Sequence, residues 1–91
     1  MAFYRKRPIT IEARRWDGTV LNGRDLCRWA GDNLMLLFPT SDDERPHLVV
    51  ATLEGNMEGK AGDFLVKGVR GEFYFVAGSI FAETYELVRE E

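Results

Sequence analysis

Residues suited to nucleophilic or acid–base chemistry are few, because this chain of 91 residues holds one histidine, His47, and one cysteine, Cys27. Nucleophilic catalysis needs a nucleophile, a base and an orienting group held close together. Cys27 falls inside a helical pattern beside an apolar stripe, whereas His47 opens a strand pattern, so only a tertiary contact could join them. We expect Cys27 to be a small, partly buried side chain and His47 to be a polar residue at a strand end.

Carboxylates are the other candidates for chemistry, and fifteen acidic residues make chance pairs unavoidable. Asp63 follows a glycine at a turn, where an aspartate commonly accepts backbone N–H bonds. Glu72 also follows a glycine and is interpreted as a hairpin charge. The acidic run at residues 42–44 lacks the spacing of a calcium-binding loop, and one histidine with one cysteine does not make a zinc site. We predict no catalytic residue, no metal ligand and no cofactor, and therefore a protein that is not an enzyme.

Basic residues concentrate at the start of the chain, although the net charge is −3 and the pI is about 5.2. Basic residues mixed with aromatic ones are typical of platforms for single-stranded nucleic acid, but the acidic balance argues against that function. Alternatively, the basic start and the acidic end meet as neighbouring strands with complementary charges. If the basic residues instead contact an anionic partner, the candidate contacts are Arg5, Arg7, Arg14 and Arg15, beside the aromatic residues Tyr4 and Trp16.

One amphipathic helix is predicted at about residues 22–31, to position these groups against a sheet. Asn22 is a suitable N-cap and Gly31 a suitable C-cap. Leu26, Trp29 and Ala30 have the i, i+3, i+4 spacing of a buried stripe. A helix of about three turns is not stable alone, so this stripe must pack on the sheet.

The other segments are strands separated by turns. A strand pattern with Pro8 at its beginning covers residues 8–16, and residues 34–38 form an apolar run typical of a buried strand. Further strands are predicted at residues 47–53, 57–60, 64–67, 72–76 and 84–89, with a turn at Gly55-Asn56 and one helical turn near Ser79. The fold class is therefore α+β: a single domain, residues 1–91, with a curled antiparallel sheet or partial small barrel and one packed helix.

The segment Phe73-Tyr74-Phe75 admits two interpretations, because successive strand residues point to opposite faces. In the first, the two phenylalanines enter the core and Tyr74 lies on the other face near Tyr85 or Phe64, so that a central strand is covered on both sides. In the second, Tyr74 and Phe75 belong to an exposed aromatic patch that contacts a partner.

Two long stretches and two short ones after them carry a resemblance to a known family. Residues 4–13 read YRKRPITIEA, residues 52–74 read TLEGNMEGKAGDFLVKGVRGEFY, and Ile80-Phe81 and residues 84–86 (TYE) follow. The chain resembles a widespread group of small phage and prophage proteins that share this order of glycines and aromatic residues. It departs from the group's pattern at Phe64, where Trp or Tyr is usual, and at Phe75, where Pro is frequent. Residues 17–47 are less alike.

The resemblance implies an accessory protein of a bacteriophage or prophage, and it transfers no catalytic residue. Together with the missing catalytic groups, it favours a non-enzymatic protein that binds a host protein. The alternatives are a small-molecule binder or sponge for nucleotide signals, held between the helix and the sheet, and a nucleic-acid module. One cysteine favours a reducing compartment, and no apolar run approaches the roughly 20 residues of a membrane span, so we expect the bacterial cytoplasm. The apolar run at residues 34–38 leaves a homodimer open.

Overall fold

The computed structural model describes residues 1–90 and shows an α+β fold with two three-stranded antiparallel sheets and two α-helices. The predicted fold class is confirmed, and the sheets do not close into a full barrel. Sheet 1 has the strand order β1-β5-β6 and sheet 2 the order β2-β3-β4. The strands are β1 (Glu12–Arg15), β2 (Leu34–Leu37), β3 (His47–Thr52), β4 (Gly55–Gly59), β5 (Phe64–Lys67) and β6 (Phe73–Val76). The helices are α1 (Val20–Ala30), which continues into a 3₁₀ turn at Gly31–Asn33, and α2 (Gly78–Thr84).

Helix α1 begins earlier than its sequence pattern predicts. Its N-cap is Thr19, whose hydroxyl accepts a hydrogen bond from the Asn22 backbone N–H at 3.1 Å. The predicted N-cap, Asn22, is therefore wrong; its side chain accepts instead from the Asp17 N–H at 2.8 Å. The predicted end is confirmed, because Gly31 caps the helix with a φ of 65°, a conformation that favours glycine.

Strand β1 is shorter than the predicted strand at residues 8–16. Glu12 is paired with Lys67, the last residue of β5, and the chain turns away at Gly68. Residues before Glu12 therefore have no neighbouring strand in sheet 1. We call residues 1–11 the N-terminal arm; almost all of them are exposed, including Phe3 and Tyr4.

The core lies between α1 and the inward faces of the two sheets. Its buried residues are Trp16, Leu26, Ala30, Leu34, Leu48, Val50, Leu65, Phe73 and Phe75. Trp29 packs at the edge of this core, with its ring edge-on to Phe73 at a centroid distance of 5.2 Å. The predicted stripe of α1 thus packs on the sheets, with Arg24 and Arg28 on the exposed side.

Helix α2 covers the second face of sheet 1. Phe81 and Tyr85, four residues apart, place their rings one above the other, and Phe81 stacks on Phe64 of β5 at a centroid distance of 4.0 Å. Val66, on that same face, is fully buried. The single helical turn predicted near Ser79 is thus a helix of seven residues. The predicted strand at residues 84–89 is wrong, because residues 85–90 form no regular element. Without that strand, the predicted pairing of a basic first strand with an acidic last strand does not occur.

The turn between β3 and β4 lies two residues before the predicted position. Leu53 and Glu54 form the turn, and Gly55, paired with Thr52, already belongs to β4. The hairpin between β5 and β6 is confirmed: the Gly71 N–H donates to the Gly68 carbonyl at 3.0 Å. Within residues 1–90, neither helix has the length and apolar character needed to cross a membrane.

Candidate protein-binding face on sheet 2

Strand β3 sends its side chains alternately to the core and to solvent, as a strand must. Leu48 and Val50 point inward and are fully buried. The alternate residues of the strand, His47, Val49 and Ala51, point outward. In an antiparallel sheet with one face in water, the outward positions are normally polar. The apolar Val49 and Ala51 are therefore unusual at outward positions.

The neighbouring strands add apolar residues to the same side. The register places Met35 opposite Val49 and Leu37 opposite His47. Met35 is 60% exposed and Leu37 is 45% exposed. We call the side formed by Met35, Leu37, Val49 and Ala51 the outer face of sheet 2. The buried strand predicted at residues 34–38 is therefore only half right, since its alternate side chains face outward.

The outer face contains a shallow cavity of about 240 Å³. Its floor consists of the four residues of the outer face, and Asp32, Asn33 and Asn56 border it. Phe38, which follows β2 directly, is also exposed. An apolar floor with a polar border is the usual composition of a surface that another protein covers.

Acidic groups border the outer face at both ends of β3. At the end of β3, Asp32 borders the cavity itself. Near the start of β3, Glu58 is opposite Val49 in the register, and Asp43 reaches His47 from the loop before β3. We call Asp32, Asp43 and Glu58 the acidic rim.

His47 lies between two carboxylates at one end of the outer face. Its Nε2 is 2.5 Å from Asp43 Oδ2, and its Nδ1 is 2.7 Å from Glu58 Oε2. The hydrogen bonds to Asp43 and then to Glu58 raise the pKa of the His47 imidazole above its usual value. The hydrogen bond from His47, followed by the one from the Arg45 backbone N–H, lowers the pKa of the Asp43 carboxyl.

This cluster is suited to fastening a loop and not to catalysis. Because both ring nitrogens of His47 are engaged by carboxylates, neither is available to take a proton from a substrate. The contact instead connects the loop before β3 to strand β4 across His47. Sequence reasoning placed His47 at a strand end, which is confirmed, but missed the cluster, because Glu58 is brought to it by strand pairing alone.

A second, open groove of about 790 Å³ lies between the β3–β4 hairpin and the start of β6. Its lining includes Leu53, Met57 and Tyr74, and its charged members are Glu54 and Glu72. Among the described residues, no arginine lines either groove. The predicted cleft for an anionic nucleotide, held by N-terminal arginines, therefore has no counterpart in these two grooves.

The four candidate arginines do not converge. Arg5 and Arg7 lie in the exposed N-terminal arm. Arg14 pairs with Glu12 at 3.1 Å and places its guanidinium over the Trp29 ring, 4.4 Å from the centroid. Arg15, the next residue of β1, points to the opposite face of sheet 1.

Of the aromatic candidates, Tyr74 is half-buried and Phe75 is 4% exposed within the core. Phe75 is therefore not available to a partner. Burial, and then the nearby Tyr85, raise the pKa of the Tyr74 hydroxyl. The interpretation with both sides of the strand covered is thus the correct one, except that β6 lies at the edge of sheet 1 and not at its centre. Trp16, offered as a stacking platform for bases, is also buried, and its indole N–H donates to the Thr19 carbonyl at 2.9 Å.

The remaining chemical candidates have structural roles. The Asp63 carboxylate accepts the Lys60 backbone N–H at 2.8 Å, and the Glu72 carboxylate accepts that of Arg70 at 2.9 Å. Burial raises the pKa of the Cys27 thiol, which disfavours a reactive thiolate. Within residues 1–90, no group of three or more potential ligands is placed to hold a metal ion.

Comparison of the chain with protein-family models, curated proteins and solved structures gives no match. The geometry of the outer face must therefore support the functional conclusion.

Proposed function

We propose that this protein is a non-enzymatic accessory protein of a bacteriophage or prophage that binds a host protein through the outer face of sheet 2. The observation that carries the proposal is the exposure of Met35 and Leu37 beside Val49 and Ala51 on an ordered sheet. Contiguous apolar surface of this kind costs free energy in water, and covering it with a partner removes that cost. The phage setting rests on the resemblance of residues 4–13 and 52–74.

The chemistry of the rim specifies the kind of partner. Asp32 is acidic, Asp43 and Glu58 share His47 between them, and Asp43 also pairs with Arg45 at 3.6 Å. The fitting partner segment therefore combines apolar side chains for the floor with lysine or arginine for the border. Such a segment gains apolar burial at the centre and charge complementarity at the edge, as stable interfaces do.

Capture from a bacterial lysate with matched variants tests the proposal. The tagged wild-type protein is compared with Met35→Lys, which places a positive charge on the outer face, and with Leu21→Lys, which changes an exposed leucine on α1. We expect one host protein to be retained by wild type and by Leu21→Lys and to be lost with Met35→Lys. Retention of the host protein by the wild type and both variants, or by none of the three proteins, would contradict binding through the outer face.

The same capture tests the two alternatives. A nucleotide or other metabolite found in the purified protein would support the small-molecule reading. Nucleic acid that is retained at low salt and released at higher salt would support the third function. Either result, with no host protein that depends on Met35, would replace our proposal.

A further inference from the structure

The N-terminal arm has the composition of a strand but lacks a partner in its own sheet. Ile9, Thr10 and Ile11 favour an extended backbone. Their neighbour would have to be a continuation of β5, and β5 ends at Lys67. The arm therefore remains exposed while carrying a sequence that is suited to pairing or packing.

The arm also has the chemistry that the outer face of sheet 2 requires. Three consecutive cations, Arg5, Lys6 and Arg7, follow the exposed aromatic residues Phe3 and Tyr4. The outer face offers an apolar floor for such aromatic rings and an acidic rim for such cations. Charge and polarity are thus complementary between two surfaces of one chain.

We propose that the N-terminal arm of one copy lies on the outer face of sheet 2 of a second copy, and the reverse, in a symmetric arm-exchanged dimer. An isologous arrangement of this kind fulfils both contacts at once and leaves no open site for further growth. The inference rests on the proposed function, because it assigns to the host-binding face a second occupant. The free protein then keeps its apolar surface covered, and a host partner must displace the arm.

The dimensions of the molecule allow the exchange. An extended segment of eleven residues spans up to about 36 Å, whereas the shorter extents of the molecule are 29 and 23 Å. The extended arm is therefore longer than the width of a second copy but shorter than its long axis of 58 Å, so the exchange requires the two copies to associate side by side.

The mass of the full-length protein in solution, measured by sedimentation over a series of concentrations, tests the dimer. We expect wild type to be a dimer that dissociates as salt is added, because salt screens the exposed charges of the rim. An arm variant (Arg5→Glu, Lys6→Glu and Arg7→Glu) and a face variant (Met35→Lys with Leu37→Lys) should each be monomeric. A control that reverses three exposed charges elsewhere, Arg24→Glu, Lys60→Glu and Arg70→Glu, should remain a dimer.

A peptide supplies an independent readout. The probe is a fluorescent peptide with the sequence of residues 1–12, titrated into the arm variant, whose outer face is unoccupied. We expect binding that is about tenfold weaker, or worse, for a protein carrying the arm and face changes together, because lysines then oppose the cations of the peptide. Circular dichroism establishes that each variant is folded.

Three results would overturn the inference: a wild-type monomer at every concentration, an arm variant that stays dimeric, or a peptide that binds equally to both proteins. Failure of the dimer is distinguishable from failure of the proposed function. A wild-type monomer that still loses its host partner through Met35→Lys contradicts only the arm exchange. A dimer with no host partner contradicts only the host interaction. If both statements hold, the arm variant should capture more of the host protein than wild type does.

Discussion

Sheets 1 and 2 each contain three antiparallel strands, but they differ in how their faces are covered. In sheet 1 the consecutive residues Leu65 and Val66 point to opposite faces and are both fully buried. In sheet 2 Leu48 is fully buried, whereas Met35 on the other face is largely exposed. Sheet 1 is covered by the core on one side and by α2 on the other, and sheet 2 has an apolar outer face that no described element covers.

The two sheets differ in cover because different segments follow their strands along the chain. Helix α2 begins two residues after β6 and folds back, so that Phe81 meets Phe64. Strand β2 is followed by a polar loop and β3 by a two-residue turn, and neither supplies a covering element. An antiparallel sheet can face water on one side when its residues there are polar. Sheet 2 departs from that rule at Met35, Leu37, Val49 and Ala51, and this departure is the observation behind the proposed binding function.

The largest expected loss of stability comes from a core side chain that belongs to one sheet and packs against the other. Phe75→Ala removes a buried ring that lies against Gly59 of β4, where any added Cβ would stand 2.5 Å from the ring. We expect a loss of about 3–5 kcal/mol in the free energy of unfolding, measured by urea denaturation. Met35→Ala on the outer face should change it by less than about 0.5 kcal/mol. Equal losses at the two positions would contradict the difference in cover.

Removing the cover of sheet 1 should give an intermediate effect. Phe81→Ala deletes the middle ring of the stack formed by Phe64, Phe81 and Tyr85. We expect a loss of about 2 kcal/mol in the free energy of unfolding and faster amide exchange around Val66 in β5. Ile80→Ala, an exposed position of the same helix, is the matched control. No change in exchange around Val66 would mean that α2 does not cover this face.

A smaller effect is expected for Arg14, a candidate partner contact. The Arg14 guanidinium lies over the Trp29 ring, and the Arg14 side chain is about half exposed. Arg14→Ala should therefore lower the free energy of unfolding by about 0.5–1 kcal/mol. The same variant should leave capture of the host protein unchanged, because Arg14 belongs to sheet 1 and not to the outer face. Arg14→Lys tests the contact further, since it keeps the charge and loses the planar group. Loss of the host partner with Arg14→Ala would move the binding site to sheet 1.

The smallest expected effect is a local dependence on pH at one end of the outer face. The pKa of His47 is raised by Asp43 and Glu58, so its contribution to stability is complete below the unfolded value of about 6.5 and is lost as pH rises through the folded value. The pKa of Asp43 is lowered, so its contribution is present above about 3.9 and is lost as pH falls through the folded value. The loop before β3 should therefore be held most firmly between about pH 4 and 6.5.

Nuclear magnetic resonance measures this dependence directly. We expect the His47 ring to titrate with a midpoint above about 6.5, and amide exchange in the loop that carries Asp43, corrected for its intrinsic pH dependence, to increase above that midpoint. Glu58→Gln should lower the His47 midpoint, because it replaces a negative partner with a neutral one. A midpoint at or below the ordinary value in wild type would show that the two carboxylates do not hold the charged ring.

Much of the fold could be predicted from local patterns. The stripe of α1, its end at Gly31, and the strands β2, β3, β5 and β6 follow from periodicity and turn residues, which act between neighbours along the chain. The errors lie where a tertiary contact competes with a local pattern. Residues 8–11 are strand-like, yet no strand extends beside them, and residues 84–89 alternate, yet Tyr85 is taken by the stack on Phe81.

The candidate site was less accessible to sequence reasoning. An apolar run at residues 34–38 indicates a strand but does not say whether both faces are buried, because that depends on elements distant in sequence. The candidates chosen from charge and aromatic content were Arg5, Arg7, Arg14, Arg15, Tyr74 and Phe75. None of them lies on the outer face, and Phe75 is in the core.

By itself the sequence determined the class of fold, the helix that packs on the sheets and the scarcity of catalytic groups, since these depend on composition and on periodicity over short stretches. Only the tertiary structure decided which faces are covered, which carboxylates meet His47 and where the arm loses its neighbour. Those features depend on strand register and on the lengths of strands that are far apart in sequence. A pattern of residues carries no direct record of either, because register is fixed when whole faces are buried together.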